Sequence, residues 1–308
     1  MKKNFYFFFF AAIVFLNFSC NPDITPAYLI LTEKDFKDCI STENFNNVHE
    51  TTYDDEELVA IRQQNFRDVL VSINGHELGY YQLPCTIPLL PDYSTKNHIR
   101  VYPCARYTVT SLTLTPYYFI TPVEQFIEME KEGEYKLSDF KLEYVESVTF
   151  PILETFSQTT LFKPFDTIFP TPMEIIYDSN LKKNIGRIAL EDTVSYFNVV
   201  SSYFYLKGRN ARHFLEMYYK CDSGEMITYL DYQGSGSGVP HQDLVIYPAT
   251  TSWKKAYFDI SEPITWAAGI QDRVYVRLGI RLISKDKNAK NAYFYFDNIK
   301  IISMYAPY

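Results

Sequence analysis

The stretch Arg273 to Ile283 leaves little choice of fold. Val274, Val276, Leu278, Ile280 and Leu282 alternate without a break, with Tyr275, Arg277 and Arg281 between them. Successive side chains of a strand point to opposite faces, so this pattern buries one face and offers the other to water or a partner. An antiparallel sheet with one packed side fits it. The rest of the second half reads the same way. Arg187–Glu191, Tyr196–Leu206, His213–Lys220, Met226–Tyr232, Leu244–Tyr247, Trp253–Ile260 and Tyr293–Ile301 are strand-like runs, and Gly234–Gly238 is a loop between two of them. About eight strands separated by turn residues predict a sandwich.

The first half carries its own strand signals. Val69, Val71 and Ile73 alternate up to Asn74-Gly75, and a type I′ turn needs positive φ at both of its central residues. Tyr28–Leu31 and His98–Pro103 read as further strands, as do Ser111–Ile120 and Phe140–Val148. The acidic run Asp54–Glu57 opens a short helix rather than a calcium loop, because the EF-hand spacing is absent. Pro151, Pro164, Pro170 and Pro172 mark 151–172 as an extended, poorly paired linker. The expected architecture is all-β. A small sandwich occupies 28–150 and a jelly-roll sandwich 173–308.

Two resemblances sharpen this. The hairpin Val69-Leu70-Val71-Ser72-Ile73-Asn74-Gly75, followed by Leu83-Pro84 and Ile99-Arg100-Val101-Tyr102-Pro103, resembles the surface-layer module named after its Pro-Glu-Gly-Ala motif. That resemblance implies a structural or interaction module without catalytic residues. Phe214–Lys220, Trp253–Ile260 and Asp297-Asn298-Ile299-Lys300-Ile301 resemble a galactose-binding-type jelly roll of the carbohydrate-binding-module kind. In such folds the equivalent of Asp297 helps hold a structural calcium, so Asp297 is a candidate metal ligand.

Lys2 and Lys3 precede the apolar run Phe5–Leu16, and Ser19 meets Cys20. A basic start, a short apolar run and a small residue before the cut make a signal peptide over 1–19. Cys20 at the cut looks like a lipobox of the Bacteroidota type. It implies lipidation of Cys20, a tether over 20–27 and an outer-membrane location, with the leaflet left open. Cleavage removes Lys2 and Lys3 and no acid, taking the formal charge from −8 to −10. A chain this acidic, without a Lys/Arg cluster, is a poor partner for nucleic acid.

Export to an oxidising compartment allows disulfides. Cys85 and Cys104 each follow a proline and are the best-placed pair, as a bridge or as two buried thiols. The chain has no G-x-S-x-G, H-E-x-x-H or Walker loop, so no catalytic residue is expected. For a ligand, Trp266 is the exposed platform candidate and Trp253 is expected in the core. Tyr275, Arg277 and Arg281 share one outward face that could stack on a sugar ring and bond its hydroxyls. With 27 Tyr in the chain, interaction surfaces are well supplied. The expected role is a lipid-anchored scaffold or binding subunit of an envelope protein assembly, with glycan binding through the jelly roll as the alternative.

Overall fold

The structure is a computed structural model. It describes residues 25–305, other than 38–39, 44, 49–51, 107–112, 138–139, 167–169, 192–193, 195, 235–239 and 287–288. The expected signal peptide, Cys20 and most of the Gly-Ser loop lie outside the described residues. Among those described, no helix is long and apolar enough to cross a membrane.

The protein is all-β, a small sandwich followed by a jelly-roll sandwich. Strands β1 (Ala27–Leu31), β2 (Asp68–Ile73), β3 (His76–Gln82), β4 (Cys85–Leu89), β5 (Lys96–Arg106), β6 (Leu114–Pro116), β7 (Val123–Glu128) and β8 (Glu134–Lys136) build the first half. They form one sheet in the order β3-β2-β5-β6, with β7 also on β5, and a small sheet β4-β1-β8. Asn74 and Gly75 turn the β2–β3 hairpin with φ of 50° and 81°, as a type I′ turn requires. Leu29, Leu31, Ile87 and Leu89 from the small sheet meet Val69, Val71, Ile99 and Val101 from the large one. The short helix α1 (Phe45–Val48) and α2 (Asp55–Arg62) complete this half. Asp54 accepts from Glu57 N at 2.8 Å while Glu57 accepts from Asp54 N at 2.9 Å, a capping box that explains the acidic run as a helix start. Of Phe140–Val148, Leu142 and Tyr144 form single bridges and Val148 opens the next strand, rather than one continuous strand as expected.

The second half comprises β9 (Val148–Glu154), β10 (Lys163–Pro164), β11 (Glu174–Asp178), β12 (Lys183–Leu190), β13 (Asn198–Val200), β14 (Phe204–Lys207), β15 (Ala211–Cys221), β16 (Gly224–Gln233), β17 (His241–Tyr247), β18 (Thr250–Asp259), helix α3 (Ser261–Ala268), β19 (Arg273–Lys285) and β20 (Ala292–Tyr305). Two six-stranded sheets face each other. One runs β11-β12-β20-β15-β18 with β9 on β20. The other runs β10-β13-β19-β16-β17 with β14 on β19. Val274, Val276, Leu278, Ile280 and Leu282 point between them, against Leu215, Met217, Phe294 and Phe296.

The expected linker is instead part of the fold. β9 pairs with β20, Ile152 lying opposite Ile301. Phe156, Phe162 and Met173 enter the second core. Proline lacks a donor but is tolerated on an edge strand such as β9. Glu154 fixes the following turn, accepting from Phe156 N at 2.7 Å and Thr160 Oγ1 at 3.1 Å. Of the two readings of Cys85 and Cys104, the structure has two free thiols, Cys104 buried and Cys85 partly so. Cys85 opens β4 in the small sheet, whereas Cys104 lies in β5 of the large one. Cys104 Sγ donates to Tyr102 O at 3.4 Å, and burial raises its pKa to about 12.

The halves share one interface. Phe214, Tyr257, Ile302 and Met304, on the outer face of the β15–β18–β20 sheet, belong to the first half's core. At its centre Glu216 is fully buried. Its Oε2 lies 3.0 Å from Lys255 Nζ, 3.3 Å from Lys300 Nζ and 3.1 Å from Gln64 Nε2. Tyr117 OH donates to its other oxygen, and Tyr257 OH donates to Gln64 Oε1 at 2.9 Å. Lys300 also donates to Ala60 O and Ile61 O, each at 3.1 Å, gripping the last turn of α2. Burial works against the charge of Glu216, but Lys300 and Lys255 hold its pKa down at about 2. One carboxylate cannot compensate two ammonium groups, and burial brings Lys300 down to about 7.

Candidate functional site

On the outer face of the β19 sheet, Tyr275, Arg277 and Arg281 stay half-exposed between the buried inward residues. Along β19 the odd positions 275, 277, 279 and 281 point outward, as the alternation dictates. Tyr275 is flanked by two more rings. Tyr205, opposite it on β14, has its centroid 4.5 Å away, and Tyr203 stacks on it at 5.0 Å and 26°. Tyr205 is 64% exposed and Phe165, beside β13, is 49% exposed, so the cluster presents aromatic surface to solvent. Arg277 lies over Phe165 at 4.8 Å and over Tyr203 at 5.0 Å.

A chain of alternating charges crosses the face next to these rings. Arg277 donates from Nε to Asp231 Oδ2 at 2.9 Å. Asp231 Oδ1 faces His241 Nδ1 at 2.8 Å, and His241 Nε2 faces Asp243 Oδ1 at 2.9 Å. Asp243 Oδ2 accepts from Arg281 Nη2 at 2.7 Å. The register puts them there: Asp231 lies opposite both Arg277 and His241. Burial opposes the charge of Asp243, yet His241 and Arg281 keep its pKa below the ordinary carboxylate value. Each carboxylate already holds a cation or an imidazole. The arrangement therefore fixes planar acceptors and donors in place rather than providing a free acid beside a free base.

Gly279, between Arg277 and Arg281, makes this face flat. Tyr229 lies across it, donating to Asn198 Oδ1 at 2.6 Å, and a Cβ at Gly279 would fall 2.0 Å from the Tyr229 ring.

Of the residues picked out in the sequence, Tyr275, Arg277 and Arg281 do share one face. Trp266 does not join them. It sits on α3 rather than a loop, 53% exposed, beside a groove of about 460 Å³ with Phe258 and Pro263. Asp243 borders that groove and is its link to the charged chain. Trp253 is half-buried on the outer face of the other sheet, beside Tyr177 and Tyr295, not in the core. Asp297, the candidate metal ligand, forms an ion pair. Lys183 Nζ lies 2.8 Å from its Oδ1, and the described residues contain no group of three or more His, Cys, Asp or Glu placed to hold a metal. Tyr203, Tyr205, Phe165, Asp231, His241 and Asp243 were not singled out in the sequence. A mid-strand glycine such as Gly279 was the available signal, since it marks a close approach.

No family model and no curated protein matches this chain. Solved structures of carbohydrate-binding-module β-sandwiches are similar to it. The family 11 module of a Clostridium thermocellum cellulosomal cellulase is 16% identical over 50% of this chain and 94% of its own, with a TM-score of 0.34. A module from a study of promiscuous specificity in the β-sandwich superfamily is 11% identical over 77% of this chain and 85% of its own, at 0.33. A Clostridium thermocellum xylanase fragment complexed with xylohexaose is 12% identical over 50% of this chain, at 0.37, and this chain spans 28% of its length. The protein is thus an all-β chain of two sandwiches that carries aromatic and charged side chains together on the outer face of the β19 sheet.

Proposed function

We propose that the protein is a non-catalytic glycan-binding protein that receives a carbohydrate chain on the outer face of the β19 sheet. The observation that supports this is the juxtaposition of the Tyr203–Tyr275–Tyr205 rings with the Arg277–Asp231–His241–Asp243–Arg281 chain. Ring faces pack against the C–H face of a pyranose, and fixed carboxylate and guanidinium edges take its hydroxyls. Composition pointed first to a scaffold, with tyrosines as its contact surface. Tyr117, Tyr219, Tyr229, Tyr247 and Tyr257 are buried and offer a partner no contact surface.

The test is affinity electrophoresis of the parent and Tyr275→Ala through gels containing xylan, mixed-linkage β-glucan or acidic polysaccharides. Retardation of the parent in at least one gel, lost in the variant, is expected. Free migration in every gel would remove the reading. Lipidation at Cys20 and an outer-membrane location complete the proposal. Incorporation of a labelled fatty acid, abolished by Cys20→Ser, is the check.

A further inference from the structure

A second opening lies where the two halves meet, beside the edge strand β18. It encloses about 470 Å³, the size range of small-ligand sites, and domain junctions are where such sites concentrate. Arg67, Arg106, Lys254 and Lys255 line it, against the single carboxylate of Asp68. The chain as a whole carries −8, so this is a cationic spot on an acidic protein. Arg106 is committed to Asp68, its Nε 3.2 Å from Oδ2, and Lys255 to Glu216. Arg67 and Lys254 have no ion-pair partner among the described residues, and both are exposed at the mouth. Two cations are thus positioned by buried neighbours and two remain unneutralised.

We infer that this cleft is a binding site for a small carboxylate-bearing sugar. The charge calls for an anion, and guanidinium groups from the first half facing ammonium groups from β18 suit a carboxylate. The side-chain amides of Asn65 and Gln82 also line the cleft and offer donors and acceptors for hydroxyls, which a bare inorganic anion would not use. The volume takes one or two sugar rings. The walls come from both halves and are held by the Glu216 cluster, so the site is formed before the ligand arrives. It does not rest on the glycan reading of the β19 face, since it lies on β18, in the other sheet, and against the first half.

Isothermal titration of the full chain with glucuronate, galacturonate, glucose and inorganic phosphate tests this. The uronates should bind, glucose should not, and the affinity should fall as salt rises. Arg67→Ala and Lys254→Ala should each weaken uronate binding about tenfold, the scale of one charge-assisted bond. Both side chains are exposed, so the fold should tolerate these changes, and an unaltered melting temperature confirms it. Tyr275→Ala should bind uronate like the parent even if it loses polysaccharide, which separates the two sites. No saturable uronate binding, equal binding of glucose, or parent-like binding by both variants overturns the inference. Phosphate binding as tight as that of the uronates overturns the assignment to a sugar acid.

Discussion

The two outer faces of the second sandwich are made of the same kinds of residue and end in opposite states. On the β15–β18–β20 face, Glu216, Lys255 and Lys300 stand with Tyr218 and Tyr257, and the first half closes over them. On the β19 face, Asp231, Asp243, Arg277 and Arg281 stand among Tyr203, Tyr205 and Tyr275, and all keep contact with solvent. Paired charges and tyrosines become a joint when a layer is laid over them and a display surface when they keep contact with solvent. The difference lies in the partner layer and not in the residues. Breaking a buried pair strands a charge away from water, whereas breaking an exposed one leaves both partners solvated.

The largest effect should come from the covered face. Glu216→Leu removes the one counter-charge of the buried Lys255 and Lys300, and unfolding in urea should show a loss of about 3–5 kcal/mol. A loss below about 1 kcal/mol, in the range of surface pairs, would break the comparison. Acid should act next, first on the inward side of β15 and then on the covered face. His213 is buried on β15, its Nδ1 2.7 Å from Ser303 Oγ and its Nε2 2.8 Å from Lys207 O. Burial lowers its pKa to about 4, against the pull of the Lys207 carbonyl. Between about 6.5 and 4 the unfolded chain binds the proton and the folded chain does not. Its contribution is therefore full above about pH 6.5 and lost as the pH falls towards 4, about 3 kcal/mol in all. Glu216 adds a second loss below its ordinary range, as the pH falls towards 2. Melting curves across this range, with His213→Gln flattening the first step, check both the sign and the source.

The open face should respond in binding instead. Tyr275→Ala should weaken polysaccharide retention about tenfold or more, since stacking on an aromatic ring is worth roughly 1 kcal/mol beyond area. The melting temperature should move far less than in Glu216→Leu, because Tyr275 is only half-buried. If stability fell as steeply, the ring cluster would be structural and the comparison would lose its second arm.

How much of this was legible depended on the range of the signal. The alternation along β19, the Asn74-Gly75 turn and the Asp54 helix start are local, and the structure has all three. The prolines of 151–172 misled because their local meaning is unpaired backbone, whereas β9 is an edge strand that tolerates proline. Trp253 misled for a similar reason. Its strand was right but its face was not, since Ala256 and Phe258 are the inward residues of β18. Tyr275, Arg277 and Arg281 could be placed on one face from their own strand. Tyr205, Asp231 and His241 could not, because they reach that face only through the antiparallel registers of β14, β16 and β17.

The smallest expected effect separates the two arginines of the open face. Arg281 is bound to Asp243 at 2.7 Å, a pair with 31% and 44% of its side chains exposed. Screened by water, such a pair contributes well under about 1 kcal/mol to stability. Arg277 is less exposed, at 20%, and lies over Phe165 and Tyr203 as well as against Asp231. Arg281→Ala should therefore leave the melting temperature unchanged and weaken glycan retention by a few-fold. Arg277→Ala should weaken it more, because it loosens the ring cluster as well as the charged chain. Equal effects from the two would mean that the rings and the charged chain act separately, and that a bound glycan lies along only one of them.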